Sequence, residues 1–94
     1  GRALSDLRRD VALFPQRTAA LRVAEKRPID TLPALNATCA ALQADWRERG
    51  RIVVRYSGTE SKLRLLVEGQ DLAQVNWGLA QLTAAARQDL VVLD

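Results

Sequence analysis

Two short apolar runs, Ile52–Tyr56 and Leu63–Val67, stand on either side of the turn-forming segment Ser57-Gly58-Thr59-Glu60-Ser61-Lys62. β-Branched and apolar residues fill both runs, which predicts two strands joined as an antiparallel hairpin. Side chains alternate between the faces of a strand, so the pairing register decides what is buried. With Tyr56 opposite Leu63, Arg55 faces Arg64, Val54 faces Leu65, Ile52 faces Val67 and Arg51 faces Glu68. One face then carries Ile52, Val54, Tyr56, Leu63, Leu65 and Val67; the other carries Arg51, Val53, Arg55, Arg64, Leu66 and Glu68. A slip of one residue would destroy this clean core face, so this is the register the sequence predicts.

That register pairs Arg51 with Glu68 favourably but sets Arg55 beside Arg64. Like charges directly opposite one another destabilise a sheet, and an anion between them would compensate. A guanidinium is a planar donor fork that matches phosphate geometry. The loop adds the Ser57 and Thr59 hydroxyls and the N–H groups around Gly58. Glycine there can take a positive φ and lets an anion approach the backbone, as in a nest. On chemistry alone the other reading, a plain hairpin with solvated arginines, stays open.

The remaining chain supplies the elements such a hairpin needs. Leu4, Leu7, Val11 and Phe14 recur at helical spacing up to Pro15. Gln16 to Ala24 is expected as a strand with Ala19, Leu21 and Val23 on one face and Arg22 on the other, the latter either an ordinary exposed residue or a companion of Arg55. Asp30 is expected to cap a helix whose apolar positions are Leu32, Leu35, Cys39, Leu42 and Trp46, with Pro33 in its first turn and Gly50 as its stop. A second helix is expected from Leu72 to Arg87, capped by Asp71 with Gln74 three residues on. Its stripe is Leu72, Val75, Leu79, Leu82 and Ala86; Trp77 lies off it, and Gly78 permits close packing. Leu90–Leu93 reads equally as an edge strand or a tail. The fold class expected is α+β: an antiparallel sheet of about four strands with two helices on one face.

The segment R-Y-S-G-T-E-S-K-L-R-L-L-V-E-G resembles the phosphate-binding loop in the C-terminal (fourth) domain of α-D-phosphohexomutases, whose pattern is close to R-x-S-G-T-E-P followed by an arginine-bearing strand. Leu13-Phe14-Pro15-Gln16, Leu21-Arg22-Val23 and Glu25-Lys26-Arg27-Pro28 resemble the bacterial phosphoglucosamine mutase branch. The likeness runs from about Leu4 to Arg87. It implies a TBP-like domain over residues 16–94, preceded over 1–15 by a junction helix from the domain before it. By position, Arg55, Ser57, Gly58, Thr59 and Arg64 match the residues that hold the substrate's non-reacting phosphate. Glu60 matches the family glutamate, a candidate substrate contact with no assigned role. Ser61 stands where the family has proline, which leaves the loop less restricted before binding.

The resemblance also implies a parent enzyme that interconverts glucosamine 6-phosphate and glucosamine 1-phosphate, or serves as a phosphomannomutase or phosphoglucomutase. The family's phosphoserine, its Mg²⁺-holding aspartate loop and its sugar-reading loop belong to other domains. This chain has no Asp-x-Asp-x-Asp run and no histidine. No residue here is therefore expected to be catalytic or to bind metal, the isolated piece is expected to be inactive, and its partners are the phosphosugar and the other three domains.

Ninety-four residues suffice for one small core. Fourteen basic against eleven acidic residues, a net +3, permit an anionic partner without demanding one. The lone Cys39 forms no internal disulfide and reads as a packed small hydrophobe, with a cytoplasmic setting as the default. No apolar run is long enough to span a membrane. A nucleic-acid-binding sheet would stack bases on exposed aromatics, yet Tyr56, the sole sheet aromatic, is expected on the core face. An interaction domain whose arginines pair with a partner's acids is the third reading.

Overall fold

A computed structural model describes residues 14–93. The helix expected over Leu4–Phe14 falls almost wholly on residues outside that range. The described chain runs β1 (Gln16–Arg22), α1 (Pro33–Trp46), β2 (Gly50–Tyr56), β3 (Lys62–Gly69) and α2 (Leu72–Asp89), with short 3₁₀ turns at Ile29–Thr31 and Arg47–Arg49. The three strands form one antiparallel sheet in the order β1-β3-β2. Both helices pack on one face, an α+β sandwich.

The expected hairpin register is the one observed: Tyr56 pairs with Leu63, Arg55 with Arg64, Val54 with Leu65, Ile52 with Val67 and Arg51 with Glu68. Its cause lies in β3. Leu63, Leu65 and Val67 are buried beneath the helices while Arg64 between them is exposed. Because β3 is central, the same alternation orders β1, where Ala19 pairs with Leu65, Leu21 with Leu63 and Ala20 with Arg64. In place of a full fourth strand, Val92 makes a single bridge with Val23. The Leu93 N–H donates to the Arg22 carbonyl at 2.8 Å and the Ala24 N–H to the Val91 carbonyl at 3.0 Å. Residues 91–93 thus cover the last part of the free edge of β1.

Trp46 locks the helical layer to the sheet. Its indole is buried against two glycines: a Cβ on Gly78 would lie 2.4 Å from the ring's Cη2, and one on Gly50 would lie 2.5 Å from its Cε3. Gly50 is therefore needed for close approach rather than as the helix stop expected of it. The chain leaves α1 at Arg47, which takes φ 53°, while Gly50 is already extended at the start of β2. Arg49 closes the helix end, donating to the carbonyls of Asp45 (2.8 Å) and Trp46 (3.3 Å), which satisfies acceptors that a helix terminus leaves orphaned.

The start of α1 also departs from expectation. Asp30 lies in the 3₁₀ turn, and Leu32 occupies the cap position without a side-chain bond. Asp89, the last residue of α2, replaces it: its carboxylate accepts from the Ala34 N–H at 3.3 Å and the Leu35 N–H at 2.8 Å. A carboxylate at a helix N-terminus also meets the favourable end of the macrodipole. The cap of α2 is as expected, with Asp71 accepting from the Gln74 N–H at 2.8 Å. Gln74 in turn accepts from the Gln70 N–H and donates to the Arg49 carbonyl. Val75, Leu82 and Ala86 are buried as expected, joined by Ala85, whereas Leu72 at the first turn is exposed. Trp77, off the stripe, is 54% exposed. Cys39 is half-buried against the core, and burial pushes its thiol above the ordinary value.

Two substitutions test this framework. Gly78→Ala should lower unfolding free energy by up to about 2 kcal/mol, because overpacking of about 1–3 kcal/mol outweighs the roughly 1 kcal/mol that alanine gains in a helix; increased stability in denaturant titration would show that Trp46 moves aside freely. Asp89→Ala should cost about 1 kcal/mol by the same measurement, since it strips a cap from α1.

Candidate functional site

The hairpin loop is built from inside the sheet outward. β2 ends on Tyr56, whose ring faces the core side and whose hydroxyl donates to the Arg27 carbonyl. Burial raises the Tyr56 phenol above its ordinary value, with Arg27 pulling it down and Glu25 pushing it up. The Ser57 N–H then donates to the Lys62 carbonyl at 2.9 Å, closing the loop at its neck. From the β1–α1 connection Lys26 donates to the Ser57 carbonyl at 2.8 Å. The loop enters and leaves on anchored backbone.

Ser57 is the one buried polar side chain among the described residues, 8% exposed. Its oxygen accepts from the Thr59 N–H at 3.4 Å, and its hydroxyl hydrogen finds no acceptor among the described residues. Gly58 and Thr59 are exposed at the tip, and the Gly58 N–H likewise has no protein acceptor among the described residues. A Cβ on Gly58 would meet nothing within 4 Å. The positive φ open to this glycine is not adopted: among the described residues no glycine takes one. Its contribution is an unobstructed backbone. Glu60 lies beyond the tip and pairs with Lys62 at 3.7 Å. That exposed pair turns Glu60 toward the protein's own cation.

Arg55 and Arg64 are direct cross-strand partners, both exposed, on the sheet face opposite the helices. Neither has an acidic partner among the described residues. They border a shallow depression of about 390 Å³ whose floor includes Ala20, Val53 and Leu66, with Arg51 at its far end. Strand alternation places Arg22 and Lys62, partners across β1 and β3, on the same face. All five expected phosphate ligands thus gather at one end of the sheet, Arg55 and Arg64 on the open face and Ser57, Gly58 and Thr59 in the loop that joins their strands. Lys26 and Lys62 were not singled out in advance. Lys62 was recoverable from alternation, since it lies two residues from Arg64 on one strand. Among the described residues no group of three or more His, Cys, Asp or Glu side chains could hold a metal ion, and no helix is long and apolar enough to cross a membrane.

The arrangement is one of donors without acceptors: two guanidinium forks, a spare hydroxyl hydrogen and a spare backbone N–H. It can hold a doubly charged tetrahedral oxyanion by charge-assisted bonds.

Comparison with known proteins identifies the family. Residues 19–85 match the family model described as "Phosphoglucomutase/phosphomannomutase, C-terminal domain". A phosphoglucosamine mutase of Lawsonia intracellularis is 44% identical over 75 residues, covering 80% of this chain and 17% of the relative. That of Anaeromyxobacter dehalogenans is 40% identical over 88 residues, covering 94% of this chain and 19% of the relative. Among solved structures, an Aspergillus fumigatus N-acetylphosphoglucosamine mutase in complex with GlcNAc-6P and magnesium superimposes with a TM-score of 0.65 at 26% identity, over 81% of this chain and 16% of that one. The chain therefore spans about a fifth or less of the relatives it matches.

The paired arginines make a prediction about stability. Arg64→Gln should leave the ligand-free domain as stable as the wild type or up to about 1 kcal/mol more stable, because it removes a like-charge pair, and the gain should shrink as salt rises. Denaturant titrations at low and high ionic strength measure it; a clear loss of stability at low salt would mean that Arg64 has a structural partner.

Proposed function

The chain belongs to the phosphoglucomutase/phosphomannomutase C-terminal domain family, and from that membership we propose that it holds a substrate phosphate for a longer phosphosugar mutase. Arg55, Ser57, Gly58, Thr59 and Arg64 are the proposed ligands. The observation that carries this reading is the cross-strand pair Arg55–Arg64, without an acidic partner among the described residues, beside a loop whose Ser57 hydroxyl hydrogen and Gly58 N–H have no acceptor among those residues. Glu60, turned toward Lys62, is proposed only as a secondary contact with the sugar.

The curated relatives named above favour phosphoglucosamine mutase as the parent activity, the interconversion of glucosamine 6-phosphate and glucosamine 1-phosphate, over phosphomannomutase or phosphoglucomutase. In such a parent this domain grips the phosphate that does not react. Binding energy collected there can orient the reacting end of the sugar. Because the ligands recognise an oxyanion and not a ring, the same grip serves either phosphate of a bisphosphorylated intermediate. Phosphoryl transfer and sugar recognition are assigned to the other three domains. Magnesium, present in the complex of the solved relative, is assigned there too, where it would neutralise charge on the transferring phosphoryl group. The isolated domain is accordingly proposed to be inactive, with a cytoplasmic parent. A nucleic-acid role is disfavoured because Tyr56, bonded to the Arg27 carbonyl from the core side, offers no stacking platform on the open face.

In the full-length parent, Arg55→Ala should raise the KM for phosphosugar roughly tenfold to a hundredfold, the loss expected of one charge-assisted contact worth about 1.5–3 kcal/mol, with a smaller fall in kcat. Steady-state kinetics decides the matter. An unchanged KM in both Arg55→Ala and Arg64→Ala would remove these residues from the phosphate site.

A further inference from the structure

The connection between β1 and α1 grips the loop at three points. The Tyr56 hydroxyl donates to the Arg27 carbonyl before it, Lys26 donates to the Ser57 carbonyl within it, and the Val23 N–H donates to the Ser61 carbonyl at 2.9 Å as it ends. Of these, the Lys26 contact alone acts with a charge, and it acts on the peptide unit that leads into the exposed Gly58. A trans peptide unit is planar, with its C=O and N–H directed oppositely. The Ser57 carbonyl shares its unit with the Gly58 N–H. Drawing the carbonyl toward Lys26 therefore turns that N–H the other way, and it is an N–H with no protein acceptor among the described residues.

We infer that Lys26 is a positioning residue for anion binding: its ammonium orients the Ser57–Gly58 peptide unit so that the Gly58 N–H is presented to a phosphate oxygen held by Arg55 and Arg64. The inference rests on the phosphate-loop reading above. Polarisation adds to orientation, since a cation on the carbonyl strengthens the N–H of the same peptide unit as a donor. The missing side chain at Gly58 keeps the approach open. Lys26 itself need not touch the ligand. Its 31-residue separation from Ser57 explains why nothing local in the loop motif points to it.

The test uses this chain, isotopically labelled, with inorganic phosphate and then a hexose 6-phosphate as probes and amide shifts as readout. Wild type should bind, with a leading response at Gly58. Lys26→Met should weaken binding by about tenfold, in line with one charge-assisted bond, and should move the Gly58 amide resonance even before ligand is added. Lys26→Arg, which can still donate to the carbonyl, should restore both. Lys26 is exposed, so these variants should fold, as unmoved Leu65 and Val75 amides would verify. The ratio of the wild-type and Lys26→Met affinities should persist at about 0.5 M salt, where distant charges are screened. A ratio that collapses to one there would reduce Lys26 to a distant charge and overturn the positioning role. Wild-type binding with an equally tight Lys26→Met and an unmoved Gly58 would refute the inference and leave the phosphate loop standing. A wild type with no response from Arg55 to Glu60 would defeat the phosphate-loop reading, and this inference with it.

Discussion

The alternation of β3 governs everything else in this domain, because β3 is the strand with neighbours on both sides. Leu63, Leu65 and Val67 each have at most 1% of their surface exposed. Burial of such a side chain stabilises by about 1.5–3 kcal/mol, so moving all three to the open face would cost several kcal/mol. A like-charge pair across strands costs about 0.2–1 kcal/mol. The larger quantity wins, and Arg64 is held opposite Arg55 whether or not an anion is present. The sheet tolerates a local electrostatic conflict at the one place where its resolution by a ligand would be useful.

A second constraint keeps that face in position. Trp46 wedges between the backbones at Gly50 and Gly78, tying α1 to the first residue of β2 and to the middle of α2. Asp89 then ties the end of α2 to the start of α1. The two contacts fasten opposite ends of the helical layer, leaving the sheet little freedom to shear beneath it. The loop hangs from the end where β2 and β3 join, and its neck is fixed by the Ser57–Lys62 bond and by residues 23–27. A site assembled on strand ends with an anchored loop can hold its donors in place before ligand arrives, which lowers the ordering cost of binding.

The parts legible in the sequence are those governed by short periods. The hairpin register followed from a two-residue alternation, and the Asp71–Gln74 cap from a three-residue spacing; both were right because cause and effect lie within one element. What escaped was carried by contacts distant in the chain. Asp30 had the right chemistry for a helix cap, but an intervening 3₁₀ turn displaced it and Asp89, more than fifty residues on, took its role. Gly50 was correctly marked as special for the wrong reason, since its lack of a side chain accommodates an indole instead of a left-handed turn. Gly58 does not use the positive φ open to it, while the open approach read for its backbone is there. Val92 was undecidable locally because a one-bridge edge leaves no pattern. Lys26 entered the sequence reading only as part of a segment resembling the phosphoglucosamine mutase branch, and the fold sets it against Ser57.

The exposure of Arg55 and Arg64 bears on how a phosphate grip of this kind would work in a longer protein. Charge pairs in water are weak, while the same pairs gain strength as the surrounding dielectric falls. All the proposed donors approach from one side, from β2, β3 and their loop, so an anion held here keeps much of its surface toward solvent. Affinity in the isolated domain should therefore be low. It rises only if another part of the parent covers the ligand and excludes water. Phosphate binding and domain closure would then be thermodynamically linked, each favouring the other by the same free energy. On this reading the openness of the sheet face is itself functional: a grip that tightens only on closure can release its sugar, or let it turn, when the parent opens.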